Sequence, residues 1–186
     1  MITGTRIGLR HKKLSDARND YIWQTDSELA RLDATQLLTI GFTRYLLDYA
    51  WELHFPSLSR HRFAIETVDD KHIGNCSYYG VNEAKGEAEL GVMIGNRSYW
   101  DKGYGADTVI TLVNYIFQQT NLNRIYLKTL DSNIRAQKCF EKCGFTRCGR
   151  MARDGYNFVL MEIHRNQWQQ RTKMLAKSEA IKPLQK

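Results

Sequence analysis

Apolar residues change their spacing along the chain, and each change predicts an element. Thr5–Arg10 reads as a strand. Ser15-Asp16 can cap a helix running to about Thr25. Thr43 can cap a second, with Tyr45, Leu46, Tyr49, Ala50 and Leu53 on one face and Pro56 ending it. Three strands follow at Phe63–Val68, Ile73–Val81 and Ala88–Ile94, separated by short polar turns that suit antiparallel neighbours. Val109, Leu112, Val113, Ile116 and Phe117 then repeat at helical spacing. Arg124–Leu130 reads as a buried strand. Ala136, Cys139, Phe140 and Cys143 mark a helix, with Asp131 or Ser132 as its cap and Gly144 as its stop. Phe145–Met151 and Asn157–Ile163 close the pattern as two strands turned at Asp154-Gly155. The order predicts a mixed α/β sheet, mostly antiparallel. Ala88–Ile94 and Arg124–Leu130 lie parallel in it, joined by a helical crossover.

Composition narrows the class without naming the chemistry. The 186 residues are 42% apolar and 25% charged, an ordinary soluble composition sufficient for one domain. Uninterrupted apolar runs reach only a handful of residues, far short of the roughly 20 that span a membrane. The first residues lack the apolar core of a signal peptide, so the cytoplasm is the expected compartment. Most of the net charge of +7 comes from Arg165, Arg171, Lys173, Lys177, Lys182 and Lys186, offset there only by Glu179. This reads as a basic C-terminal tail over 166–186. It is a solvated end or frayed helix, or a weak contact for RNA or the ribosome. Cys76, Cys139, Cys143 and Cys148 form no CxxC pair, and the five histidines show no ligand spacing. Structural thiols and no metal are expected.

The chemistry concentrates in Gly95–Ala106, where a strand passes into the strongest helix. Gly103 and Gly105 remove side chains where backbone must approach a ligand. Unpaired N–H groups and the macrodipole at a helix start suit a phosphate, and Lys102 and Arg97 can add charge. The loop is neither a Walker A sequence nor GxGxxG, because Thr108 occupies the third glycine position. Gly91, inside an apolar strand, predicts a bulge or a close backbone approach. A bulge there would part the strand from its parallel neighbour. Asn133, at the next helix start, either reaches that gap or caps the helix.

Glu89-Leu90-Gly91-Val92-Met93-Ile94, Trp100-Asp101-Lys102-Gly103-Tyr104-Gly105 and Asp131 through Phe145, in this order, resemble the GNAT superfamily of N-acetyltransferases. The likeness covers about residues 5–165, which defines the expected domain as 1–165. Trp100 stands where the family's [Q/R]xxGx[G/A] motif has Gln or Arg. That substitution, with Ile7-Gly8-Leu9-Arg10 and Trp23 through Glu28, is similar to the ribosomal-protein-alanine N-acetyltransferase branch.

The resemblance implies a GNAT-like sheet splayed between two parallel strands, with helices on both faces, and acetyl-CoA as co-substrate. Its pyrophosphate would lie on the amides of Lys102, Gly103, Tyr104, Gly105 and Ala106, with Arg97 nearby. Its pantetheine arm would follow Val92, Met93 and Ile94, hydrogen-bonded by Asn133, with the helix bearing Phe140 beside the thiol. Lys142 would meet the adenosine phosphate or simply end a helix. The amide of Met93 or a neighbour is the candidate oxyanion donor, and Glu89, on the same strand just before Gly91, is the candidate base, directly or through water, or else a solvent-facing or structural residue. Phe140 replaces the Tyr many relatives carry as acid, and Tyr99 or Tyr104 would have to substitute.

The expected acceptor is a protein N-terminal α-amine. Its pKa near 8 leaves about a tenth neutral at pH 7, which suits a weak base. The alternatives are a polyamine or aminoglycoside, or a non-catalytic acyl-CoA-binding module. Asp26, Glu28, Asp33, Asp48 and Glu52 are candidates to attract a cationic acceptor, and a homodimer is open.

Overall fold

The computed structural model describes residues 1–180, with side chains to 174. Eight strands form one sheet in the order β1-β2-β3-β4-β5-β6-β8-β7. They are β1 (Ile2–Thr3), β2 (Ile7–His11), β3 (Arg60–Thr67), β4 (His72–Asn82), β5 (Glu87–Ile94), β6 (Arg124–Leu130), β7 (Thr146–Arg153) and β8 (Tyr156–His164). Six helices accompany them: α1 (Ala17–Gln24), α2 (Ser27–Leu32), α3 (Phe42–His54), α4 (Tyr104–Gln119), α5 (Ile134–Lys142) and α6 (Arg165–Ala180). All pairings are antiparallel except β5 with β6. Two short elements, β1 and α2, escape the sequence pattern because neither is long enough to show a period.

Strand alternation assigns the two faces. Cys76 and Tyr78 of β4 and Ala88 and Leu90 of β5 face the main core, where they join Val109, Leu112, Val113 and Ile116 of α4. The next residues in register, Asn75 opposite Met93, Ser77 opposite Gly91 and Tyr79 opposite Glu89, share the opposite face. There α1 and α3 form a smaller core around Ala17, Tyr45 and Tyr49. The hairpin β7–β8 turns through Asp154 (φ 51°) and Gly155 (φ 78°), the two positive angles of a type I′ turn.

Three expectations about element ends are corrected. Asn133 itself caps α5, its side chain accepting from the Ala136 amide at 3.2 Å, in place of Asp131 or Ser132. Gly41 precedes α3 as its cap, two residues before the predicted Thr43. Gly91 makes no bulge: β4 and β5 stay in register from Tyr79–Glu89 to Gly74–Ile94. The irregularity lies between Tyr79 and Asn82 instead.

The expected basic tail begins inside a packed helix. Arg165 donates to the carbonyls of Leu122 (2.8 Å), Thr120 (2.7 Å) and Phe117, tying α6 to the end of α4. Trp168 is buried in the main core, and Arg171 donates to the Lys142 carbonyl. The side chains of Lys177 and Glu179, and all of Lys182 and Lys186, lie outside the described residues. Among the described residues no helix is long and apolar enough to cross a membrane.

Candidate active site

The site is opened by a mismatch between two strands. β5 pairs with β6 only at Glu87–Arg124, Ala88–Ile125 and Glu89–Tyr126. Beyond Glu89 the partners separate, while β5 continues to Ile94 against β4 and β6 continues to Leu130 against β8. The backbone of Val92 to Ile94 is therefore unpaired by β6, and two cavities meet at this gap.

The first cavity, of about 440 Å³, lies between the loop before α4 and helix α5. Val92, Met93, Ile94, Gly103, Gly105, Ala106, Asn133, Phe140 and Lys142 of the predicted set line it. Gly103 caps α4 at φ 86°, a left-handed conformation that disfavours any side chain. At Gly105 neither backbone angle nor packing demands glycine, since a Cβ there would sit 3.6 Å from Cys139 Sγ in ordinary contact. Asp107 accepts from the amides of Thr5, Arg6 and Ile7 (3.1, 2.7 and 3.2 Å), fastening the first turn of α4 to the N-terminal segment. The first-turn amides of α4 therefore remain open toward the cavity with a fixed orientation, as anion binding requires.

Three predicted ligands stand elsewhere. Arg97 points to α2, donating to Asp26 (2.7 Å) and Glu28 (2.7 Å). That guanidinium holds Asp26 down to about 2. Asp26 also caps α2 through the amides of Glu28 and Leu29. Arg97, Asp26 and Glu28 thus pair with one another, and none of the three lines either cavity. Lys102 and Tyr104 do not line the cavity either. Tyr104 meets Tyr99 edge-on at 4.9 Å, and both rings pack on the core as loop anchors. Sequence reasoning missed Arg135 and Lys138, which line this cavity from α5. Their spacing with Lys142, three and then four residues apart on one helix, was the available signal.

The second cavity, of about 700 Å³, opens on the opposite side of β5 among α1, α3 and the β7–β8 hairpin. Glu89, Gly91 and Met93 form its floor together with Tyr79, Ser77 and Asn75. Glu89 is 8% exposed. It accepts from Tyr79 Oη at 2.8 Å and pairs with Lys128 Nζ at 3.1 Å. One wall is a buried polar network that the sequence did not signal. In it Asp20 receives Lys12 Nζ (2.7 Å), Tyr49 Oη (3.0 Å) and Asn75 Nδ2 (2.7 Å). Asp33, Val92, Met93, Asn133 and Phe140 line both cavities, so the gap is a passage from one to the other.

Most carboxylates on the second cavity already have a cation. Asp20 has Lys12, Asp48 has Arg44, Glu52 has Arg62, and Asp154 has Arg153. Asp33 makes no ion pair among the described residues. Asp33 is solvent-exposed, so the protein packed beside its carboxyl pushes it upward only against open solvent, with Arg60 opposing.

The chain is similar to several acetyltransferases. The chain is 27% identical over 145 residues to an uncharacterised N-acetyltransferase, p20, of Bacillus licheniformis, covering 77% of this chain and 81% of that one. Its fold matches spermidine N-acetyltransferase from Vibrio cholerae, solved with CoA and spermine, at TM-score 0.79 and 20% identity over 89% of this chain and 99% of that chain. An aminoglycoside acetyltransferase solved with coenzyme A matches at TM-score 0.73 and 22% identity over the same shares. These relatives correct the expected acceptor and branch. Those with a stated substrate act on polyamines and aminoglycosides, not on protein N-termini. The sequence pattern of the acetyltransferase (GNAT) domain matches residues 6–146, from β2 through α5, and the chain belongs to that family.

Proposed function

We propose that the protein transfers an acetyl group from acetyl-CoA to a small, cationic primary amine, of the polyamine or aminoglycoside class. One observation carries the reading: two cavities of unlike chemistry share the gap that opens after Glu89. The first offers helix-start amides and α5 cations, which suit CoA. The second offers the Glu89 carboxylate on its floor and Asp33, without an ion pair among the described residues, on its wall, which suit an amine. The relatives that act on spermidine and aminoglycosides support the choice of acceptor.

In this reading the amine enters over Gly91 and its nitrogen attacks the thioester carbonyl beside Met93. The C–N bond forms, the carbonyl oxygen gains charge, and a strand amide at Met93 stabilises it. One such donor is typically worth about 3–4 kcal/mol. Glu89, held by Tyr79 and Lys128, takes the amine proton directly or through water. The C–S bond then breaks. Phe140 has no proton to give, and a thiol with pKa near 8.5 leaves as thiolate without one.

Release of free thiol from acetyl-CoA against a panel of spermidine, spermine, an aminoglycoside and a control amide tests the reading. Turnover on at least one amine is expected. Calorimetric binding of CoA with no turnover on any amine would overturn it in favour of a non-catalytic CoA-binding protein.

A further inference from the structure

We propose that Arg135, held over the indole of Trp100, is the guanidinium that binds the diphosphate of CoA in this chain. The inference rests on the acetyl-CoA reading and adds the residue that neutralises the cofactor's charge.

The loop's own cations do not line the cavity: Arg97 pairs with Asp26 and Glu28, its guanidinium 5.4 Å from the Trp100 ring centroid, and Lys102 is not on the wall. The loop even places an acid, Asp101, on that wall. A diphosphate resting on the α4 amides alone would carry its charge unneutralised against that carboxylate. The opposite wall supplies the compensation. Arg135, Lys138 and Lys142 lie on one face of α5 and line the same cavity. None of the three side chains makes an ion pair or a hydrogen bond among the described residues.

Trp100 decides which of the three is fixed. Its Nε1 donates to the Ile94 carbonyl at 2.6 Å, which locks the indole to the end of β5. The Arg135 guanidinium carbon lies 3.5 Å from the ring centroid. A guanidinium on an indole face is held electrostatically, and its N–H groups, which lie in the guanidinium plane, stay free for a ligand. The pair also joins the loop that starts α4 to the first turn of α5, both residues lining the cavity. Lys138 and Lys142 have no such support and act as point charges farther along the helix.

The test compares Arg135→Ala, Arg135→Lys and Trp100→Leu with the parent protein. Each is assayed with acetyl-CoA, 3′-dephospho-acetyl-CoA and S-acetylpantetheine, and CoA binding is read by calorimetry. A lost charge-assisted hydrogen bond of about 1.5–3 kcal/mol corresponds to a ten- to hundredfold loss. Arg135→Ala is expected to lose that much with both nucleotide thioesters and nothing with S-acetylpantetheine. Arg135→Lys should fall between, and Arg135→Ala should cost less in the Trp100→Leu background. Three results would overturn the assignment: unchanged CoA affinity in Arg135→Ala, an equal loss with S-acetylpantetheine, or a loss only when the 3′-phosphate is present. Failure of the parent protein to bind CoA would instead overturn the acetyl-CoA reading itself.

Discussion

Glu89 and Tyr126 are the last residues through which β5 and β6 remain paired. The acid that marks the end of the pairing is also the acid on the floor of the acceptor cavity. Where the strands part, one edge of β5 is released to a ligand while β4 keeps the other in register. The next residue on that floor is Gly91, and its missing side chain leaves room for an amine above the strand.

Gly91→Val tests that role. A Cβ at Gly91 would stand 3.4 Å from Ser77 Oγ and 3.6 Å from Tyr79 Cε1, ordinary contacts. Valine is favoured in strands, so the fold should survive with an unchanged or higher melting temperature. CoA affinity should also hold, because Gly91 lines only the second cavity. The expected result is at least a tenfold fall in kcat/KM for the amine. A parallel loss of CoA affinity would show that Gly91 serves the strand rather than the acceptor.

Gly105→Glu tests the first cavity. The Cβ is accommodated beside Cys139, and the carboxylate would occupy the phosphate position with like charge. CoA binding should vanish by calorimetry while circular dichroism stays native. Gly105→Ala is the control. It removes backbone freedom within a helix and should stabilise by about 0.5–1 kcal/mol. Its CoA affinity should stay within a few fold of the parent.

The sheet was legible because its strands alternate, and α4 because Val109, Leu112, Val113 and Ile116 repeat over two turns. The sharp entry into α4 was legible from Gly103 and Gly105. What stayed hidden depends on contacts between distant residues. Nothing local shows that Arg97 turns to Asp26 and Glu28, about seventy residues earlier. Nor does a lone Trp at position 100 announce that Arg135 will lie on it. The bulge predicted at Gly91 was a sound inference from a strand glycine with the wrong cause. The separation comes from β6, which follows β8 instead of β5 beyond Tyr126.

Glu89→Gln and Phe140→Tyr examine proton movement. Gln keeps the size of Glu89 and can still accept from Tyr79, but it cannot take a proton. General-base loss typically costs about 10²–10⁴ in rate. The loss should shrink as pH rises, because more amine is then already neutral. A pH-independent loss would leave Glu89 a structural partner of Tyr79 and Lys128. Phe140 is buried 5.9 Å from Phe145 (ring centroids) and lines both cavities. Adding its hydroxyl should change turnover less than about threefold, under 1 kcal/mol, if thiolate departure is not limiting. A large gain would show that the chain lacks a needed acid.

Asp33 links the acceptor to pH. It lines both cavities and has no ion-pair partner among the described residues, and its carboxyl is pushed up to about 6. An ammonium group of the acceptor would supply the missing partner. Below pH 6 the carboxyl is largely protonated and attracts no cation; above it the anion forms. The KM for a polycationic amine should therefore fall as pH rises from 5 to 7, in parallel with Asp33 ionisation. Asp33→Asn should flatten that dependence and raise KM at pH 7.5 by about tenfold, with little change in kcat or CoA affinity. The same shift has a consequence for stability. A carboxyl whose folded pKa lies above its unfolded value weakens the fold once pH exceeds the unfolded value, and the penalty is complete above the folded one. Because Asp33 is solvent-exposed, Asp33→Asn should raise the melting temperature at pH 7.5 only slightly and leave it unchanged near pH 3.5. Measured without acceptor, that pair of melting curves separates an unpaired carboxylate from one already satisfied by Arg60. Equal curves for mutant and parent at pH 7.5, together with an unchanged KM profile, would remove Asp33 from acceptor recognition.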